Sequence, residues 1–82
     1  MYLEIITPDK KVFEGEVTGV KVPGSAGTFE MLNNHAPIVS TLARGEVRVK
    51  QKDGRKTFEI DGGLVEMRNN KVVILTEALV SE

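Results

Sequence analysis

The sequence predicts an all-β protein, a flattened antiparallel β-sandwich or barrel of about eight to ten short strands. Apolar and polar residues alternate over short stretches, and residues that favour turns separate these stretches about every eight to twelve positions. A single sheet of this size would leave one apolar face in water, so we expect two sheets to close on each other.

The first half of the chain divides into short extended stretches. Leu3 and Ile5 alternate with their neighbours in the first stretch, and residues 8–10 form a turn after it. Extended stretches follow near residues 12–13 and 19–22. The segment 38–42 also fits one helical face, but its β-forming residues lead us to predict a strand.

The second half contains a clear hairpin. Residues 46–50 and 57–61 each alternate between apolar and polar side chains, and Asp53–Gly54 lies in the turn between them. Gly62–Gly63 predicts a second corner. The apolar run 72–75 is typical of a strand that is buried on both faces or is covered by something else.

Composition limits the possible functions. The 82 residues are predicted to form one domain, 1–82, with a net charge of −1, which is unfavourable for binding a nucleic-acid backbone. The chain has no cysteine and therefore no disulfide or thiolate metal site. No apolar run approaches the roughly 20 residues of a membrane span, and the first residues do not resemble a signal peptide.

The segment 23–37 interrupts the regular strands. Pro23–Gly24 favours a tight turn, residues 28–32 fit a short strand, and Asn33–Asn34 suits a further turn before the single histidine, His35. On residues 28–32, Phe29 and Met31 should share one face. That face either closes one end of the sandwich or belongs to an apolar patch for a partner.

His35 offers little basis for catalysis or metal binding. A triad could be drawn from Ser25, His35 and Asp53, but the three residue types alone do not specify one. A zinc site would need three carboxylates beside this histidine, which is unusual. The simpler interpretation is a corner residue whose ring bonds the backbone of its own loop. No catalytic residue, cofactor or metal is therefore predicted.

Two other patterns also have simple structural interpretations. Residues 23–27 are rich in glycine but lack the lysine and following helix of a phosphate loop, so we predict a turn. Cations cluster around the 46–61 hairpin and are interleaved with carboxylates, which is typical of a solvated outer face. We therefore predict no nucleic-acid partner.

Residues 22–37 resemble the signature of the F-type ATP synthase epsilon subunit, which reads roughly V-P-G-x-x-G-x-F-G-I-L-x-x-H-A-P. Residues 42–47, 61–67 and 70–75 resemble later family motifs, so the similarity extends along the whole chain. It covers the N-terminal β-sandwich domain of that family. The C-terminal helical hairpin of many members has no counterpart in the sequence, and whether the chain is naturally short or truncated stays open.

The resemblance implies a non-catalytic rotor subunit that joins the gamma subunit to the polar loops of the membrane c-ring, and so helps couple proton or sodium flow to ATP synthesis. It places Thr28, Glu30, Met31 and His35 in the loop that faces the c-ring. It implies association with the membrane only through the complex, at the cytoplasmic face of a bacterial inner membrane or its organellar equivalent. We expect Met31→Asp to weaken ring attachment while the domain stays folded.

The chain departs from the family pattern in the same segment. Glu30 replaces a usual glycine, and Asn33–Asn34 replaces a pair that contains proline, which predicts a softer loop. Without the helical hairpin, inhibition of hydrolysis by those helices and ATP binding are not expected.

Two other classes of protein remain as alternatives. A biotinyl or lipoyl carrier domain is also a small sandwich, and Lys52 lies beside a hairpin tip, although its neighbours do not resemble a carrier motif. The other alternative is an oligonucleotide-binding barrel, but the chain has only one tyrosine and three phenylalanines for stacking.

Overall fold

The computed structural model describes residues 1–81, which form eight strands. Their bounds are β1 Tyr2–Ile6, β2 Lys11–Glu16, β3 Gly19–Gly24, β4 Gly27–Leu32, β5 Ile38–Gln51, β6 Gly54–Arg68, β7 Lys71–Leu75 and β8 Leu79–Ser81. The prediction of an all-β fold is confirmed, and so is the strand over residues 38–42, which forms the start of β5.

The strands are hydrogen-bonded in the order β2-β1-β7-β6-β5-β3-β4, and β8 lies against β6. The sequence predicts only short strands, but β5 and β6 have 14 and 15 residues. They form one long antiparallel hairpin whose register runs from Ile38 opposite Met67 to Gln51 opposite Gly54. The Asp53–Gly54 turn is where the sequence predicts it.

Gly62 and Gly63 bend β6 without ending it. Their φ angles are 88° and 146°, in a region that favours glycine. Pairing with β5 continues on both sides, since Gly63 lies opposite Leu42 and Asp61 opposite Arg44. The predicted corner is therefore a bend within one strand, and for this reason β5 and β6 are longer than predicted.

Because the long hairpin bends, it contributes to both layers of the sandwich. The β1 layer consists of β2, β1, β7, residues 62–68 of β6 and residues 38–42 of β5. The β3 layer consists of residues 54–61 of β6, residues 44–51 of β5, β3 and β4. One buried cluster lies between them, with alternate residues of each strand contributing.

The core is aliphatic and draws on both layers. Its fully buried side chains include Leu3, Ile5, Val20, Val22, Met31, Val47, Val49, Ile60, Val65, Met67, Val72 and Ile74. Phe13 of β2 and Phe58 of β6 meet edge to face, with ring centroids 5.8 Å apart, although their strands are not neighbours in the sheet. This contact helps close the two layers.

One strand pair departs from the antiparallel expectation. β1 and β7 run parallel, with Leu3 opposite Val72 and Ile5 opposite Ile74. Turn residues reveal only the pairing of strands that are adjacent in sequence. β1 and β7 are separated by most of the chain, so no local signal marks their pairing.

The chain after β7 packs closely against the glycine bend. The Thr76 hydroxyl donates a hydrogen bond of 2.6 Å to the Gly62 carbonyl, and the Thr76 amide donates one of 3.0 Å to the Ile6 carbonyl. A Cβ atom on Gly63 would lie 2.1 Å from the Leu75 carbonyl oxygen. Position 63 therefore needs glycine for space as well as for its backbone angle.

Gly63→Ala should reduce the free energy of unfolding by about 2–5 kcal/mol, because it adds a clash with backbone to an unfavourable φ. Gly27→Ala is the matched control, since its φ of 139° is similar to the 146° of Gly63 and its Cβ would meet nothing within 4 Å. Denaturant melts of both variants measure the difference. Equal losses of unfolding free energy in the two variants would show that the contact with Leu75 is unimportant.

Candidate partner-binding surfaces

The loop between β4 and β5 is held by hydrogen bonds at the corner that carries His35. The His35 amide donates to the Leu32 carbonyl at 3.1 Å, and the Asn34 amide donates to Asn70 Oδ1 at 2.8 Å. Asn34 has a φ of 62°, and Asn70 lies in the tight turn between β6 and β7. Asn34 and Asn70 thus connect this loop to a neighbouring turn. The prediction of a softer loop did not include this connection.

The simple interpretation of His35 is confirmed. Its ring is exposed, and Nδ1 lies 2.8 Å from the Ala36 carbonyl oxygen. The other two members of the possible triad are elsewhere. The Ser25 hydroxyl accepts a hydrogen bond from Thr41, and Asp53 follows β5 whereas His35 precedes it. Residues 1–81 contain no group of three or more His, Asp or Glu side chains placed to hold a metal ion.

The glycine-rich segment forms the turn that the sequence predicts. Gly24 and Gly27 pair across the ends of β3 and β4, and Ser25 and Ala26 occupy the turn between them. The Ser25 amide donates to the Thr41 carbonyl at 2.9 Å, which anchors the turn to β5. The segment leads into a strand, whereas a phosphate loop leads into a helix.

Strand β4 has an inner and an outer face, as its alternation predicts. Phe29 is half-buried against the core and Met31 is fully buried, while Thr28 and Leu32 are exposed on the other side. The placement of Met31 on a partner-contacting surface is therefore wrong for its side chain. Met31 fills the core because it lies opposite Val20 on the inward face of the β3 layer.

Glu30 lies on the outer face beside a lysine. Its Oε2 atom is 2.9 Å from Lys50 Nζ on β5. The ammonium of Lys50 beside it lowers the pKa of the Glu30 carboxyl, although partial burial opposes the shift. Glu30 is thus held as a carboxylate, in an ion pair that spans β3.

Arg48, Lys50 and Arg55 of the β5–β6 hairpin lie on the outer face of the β3 layer, among carboxylates. Lys56 lies opposite Val49 on the inward face, at its margin, with Nζ 5.7 Å from the centre of the Phe13 ring. Arg48 Nε is 2.6 Å from Glu46 Oε1, and Lys50 pairs with Glu30. Arg48, Arg55 and Lys56 are exposed. This arrangement agrees with the predicted solvated outer face.

The outer face of the β1 layer carries an apolar strip that was not predicted from the sequence. Leu75 and Leu64 face each other across β7 and β6 with 46% and 37% of their surface exposed, and Val39 on β5 is 63% exposed. Half-buried Ile6 of β1 lies beside Leu75. A groove of about 350 Å³ runs along the Ile6 and Leu75 end of the strip.

The apolar run 72–75 is the sequence signal for this strip. Val72 and Ile74 point into the core, while Val73 is half-buried and Leu75 is exposed on the opposite face. One face of β7 is therefore apolar and uncovered in the isolated chain. Small domains rarely leave contiguous apolar surface exposed without a partner for it. The described residues thus combine a rigid sandwich with an uncovered apolar surface, as expected of a subunit that acts through contact.

Comparison with known proteins identifies the class of subunit. A family model described as "ATP synthase, Delta/Epsilon chain, beta-sandwich domain" matches residues 1–82. The chain is 43% identical over 76 residues to the ATP synthase epsilon chain of Chlorobium limicola, covering 92% of this chain and 86% of that one. It is 38% identical over 80 residues to that of Caulobacter vibrioides, covering 98% and 93%.

Other relatives are longer. The chain is 40% identical over 75 residues to the epsilon chain of Leptospira borgpetersenii, and the match covers 92% of this chain but 59% of that one. In a solved Euglena gracilis mitochondrial ATP synthase, one chain superimposes with a TM-score of 0.89 at 24% identity, over 96% of this chain and 51% of that chain. That likeness supports the fold alone.

The chain belongs to the ATP synthase delta/epsilon family through its β-sandwich domain. The recognition of an epsilon-type chain from the motifs in residues 22–75 is confirmed. The epsilon chain is not the catalytic subunit of ATP synthase, so the prediction that the chain is not an enzyme is confirmed as well.

The burial of Met31 reverses the expected effect of Met31→Asp. A carboxylate at this fully buried position should reduce the free energy of unfolding by roughly 4 kcal/mol or more, because nothing there compensates a buried charge. Leu32→Asp, one residue further on the exposed face, should cost little. Circular dichroism melts of both variants test this, and a fully folded Met31→Asp domain would contradict the assignment to the core.

Proposed function

We propose that the chain is a central-stalk subunit of a proton- or sodium-translocating F-type ATP synthase, in which it joins the gamma subunit to the c-ring. Membership of the delta/epsilon family is the observation that carries this proposal. The curated relatives named above are bacterial, which supports a place at the cytoplasmic face of a bacterial inner membrane. Attachment to the membrane is then indirect, through the complex.

The apolar strip on the β1 layer is the surface that we assign to gamma. Leu64 and Leu75 lie opposite each other on β6 and β7, and Val39 of β5 lies diagonally from Leu64, opposite Glu66, so a partner could cover all three together. A joint that transmits torque has to resist slipping. A broad packed surface with a few apolar anchors suits that task better than one strong bond.

The opposite side of the sandwich carries the surface that we assign to the c-ring. Thr28 and Glu30 lie on the outer face of β4, and His35 lies at the corner that follows it. All three are polar, which suits the polar loops of a membrane ring. Met31 supports this surface from the core and makes no contact of its own.

Family membership outweighs the two alternatives. Lys52 does lie in the exposed turn of the β5–β6 hairpin, where a carrier lysine would be. However, a match over residues 1–82 to the delta/epsilon family accounts for the whole chain. The carrier and oligonucleotide-binding interpretations account for only one feature each.

Leu75→Asp should weaken binding to the gamma subunit at least about tenfold, because it places a charge in the centre of the proposed apolar contact. Leu32→Asp is the matched control, since Leu32 has a similar exposure of 52% but lies on the β3 layer. Calorimetric titration of gamma from the same source measures both. Failure of the unmodified chain to bind gamma would contradict the proposed function, and equal weakening by both variants would contradict the assigned face.

The ring-facing surface makes a separate prediction. Replacing both Thr28 and His35 by alanine should reduce copurification with the c-ring severalfold and leave gamma binding unchanged, because both side chains are exposed and neither belongs to the apolar strip. Lys52→Ala, which removes an exposed lysine from the β5–β6 turn, is the control. Retention of the c-ring at the unmodified level would show that these side chains do not form the ring contact.

A further inference from the structure

Strand β4 has an open backbone edge. It pairs with β3 without a register shift, from Gly19 opposite Leu32 to Gly24 opposite Gly27, and it is the last strand in the sheet order. Within residues 1–81, no strand lies against its other edge. Exposed edges are templates for pairing with another chain, and proteins usually protect them with lysine, proline, bulges or covering segments. The six residues of β4 contain neither lysine nor proline, and no bulge interrupts them.

The edge strand at the opposite end of the sheet is protected. The register between β2 and β1 shifts at Ile5 and Ile6, which marks an irregularity of the β-bulge type. β2 also begins with Lys11, which forms ion pairs with Glu4 at 2.7 Å and Glu14 at 3.4 Å. Charge and distortion therefore discourage pairing at β2.

The free edges of the long hairpin are protected as well. At the start of β6, Arg55 and Lys56 follow each other in sequence, and β8 covers the same strand near Ile60. At the start of β5, Pro37 precedes the strand. The Ser25 amide donates a hydrogen bond to the Thr41 carbonyl, so that carbonyl is not available to another strand. Among the free edges of β2, β4, β5 and β6, that of β4 is the one without such protection, and β8, which pairs only with β6, has just three residues.

The side chains of β4 indicate what could lie beside it. On the inner side, Phe29 is only half-buried at the margin of the core, so an added apolar side chain would complete its cover. On the outer side, Glu30 uses Oε2 in its contact with Lys50, and a carboxylate can accept several hydrogen bonds. Alternate residues of an added strand would meet these two different environments.

We propose that β4 receives an extended loop segment of its ring-side partner as an additional strand, with an apolar residue beside Phe29 and a hydrogen-bond donor beside Glu30. Main-chain hydrogen bonds along the open edge supply affinity, and the two side-chain environments supply specificity and register. This inference rests on the proposed function, which places the same strand on the side of the ring. It goes further by specifying strand addition as the mode of contact.

Amide hydrogen exchange tests strand addition directly. The chain, labelled with nitrogen-15, is compared free and bound to the gamma and c-ring subcomplex. Alternate amides between Gly27 and Met31, those that point away from β3, should exchange at least about tenfold more slowly in the complex. Contact through side chains alone would not produce this alternation.

A second hydrogen-exchange experiment uses a peptide in place of the rotor subunits. The probe is a synthetic five-residue peptide, Val-Arg-Val-Arg-Val, and it should slow the same alternate amides of β4. N-methylation of the peptide amides that face β4 should abolish the effect. N-methylation of the other set is the matched control and should preserve it, because only one edge of the peptide donates to β4.

The outcomes separate the two proposals. Alternating protection in the rotor complex supports strand addition by the ring-side partner, and binding of the rotor without alternating protection overturns it. If the rotor binds without alternating protection and the peptide does not bind, strand addition is wrong while the proposed function stands. If the peptide protects β4 but neither gamma nor the ring binds the chain, the proposed function fails and the open edge remains a strand-binding site.

Discussion

The structure depends on the bend at Gly62 and Gly63. Strand β6 changes direction there without losing its pairing with β5, so one continuous ladder supplies strands to both layers. The two layers can then close on a single aliphatic core, although they belong to one hydrogen-bonded sheet. Thr76 occupies the space beside the bend and hydrogen-bonds to Gly62, which connects the end of β7 to the same point.

A domain of this size has more apolar strand surface than one core can cover. The inward faces of β1, β6 and β7 fill the sandwich, and Leu64, Leu75 and Val39 remain on the outward face of the β1 layer. The β3 layer has an outward face of charged pairs instead, such as Glu30 with Lys50. The two layers therefore offer partners different chemistry: an apolar surface on one side and a polar, ionic surface with an open strand edge on the other.

The sequence predicts local features well and distant pairings poorly. The hairpin at Asp53–Gly54 and the shared face of Phe29 and Met31 follow from turn chemistry and from the period of two residues. The continuity of β6 through Gly62–Gly63 does not, because a glycine pair indicates a bend without saying whether pairing resumes beyond it. Met31 shows the same limit. Its position between two turns suggests a surface, and only the register with Val20 places it in the core.

The candidate surfaces also differ in how far the sequence alone predicts them. The motif around His35 is visible in the sequence because its residue types are specific. The strip on the β1 layer combines single residues from four strands, so it can be recognised only once their register is known. The apolar run 72–75 hints at it, because a strand with one buried face does not need four apolar residues in succession.

The parallel pairing of β1 with β7 has a consequence for synthesis on the ribosome. β1 is translated before β7, yet residues 71–75 of β7 form one of its two neighbours. The nascent chain can form the β3–β4 and β5–β6 hairpins as they emerge. The β1 layer cannot be completed until residue 75 has left the exit tunnel. Until then Leu3 and Ile5 lack their neighbours Val72 and Ile74, so these apolar side chains stay uncovered while the chain between them is made.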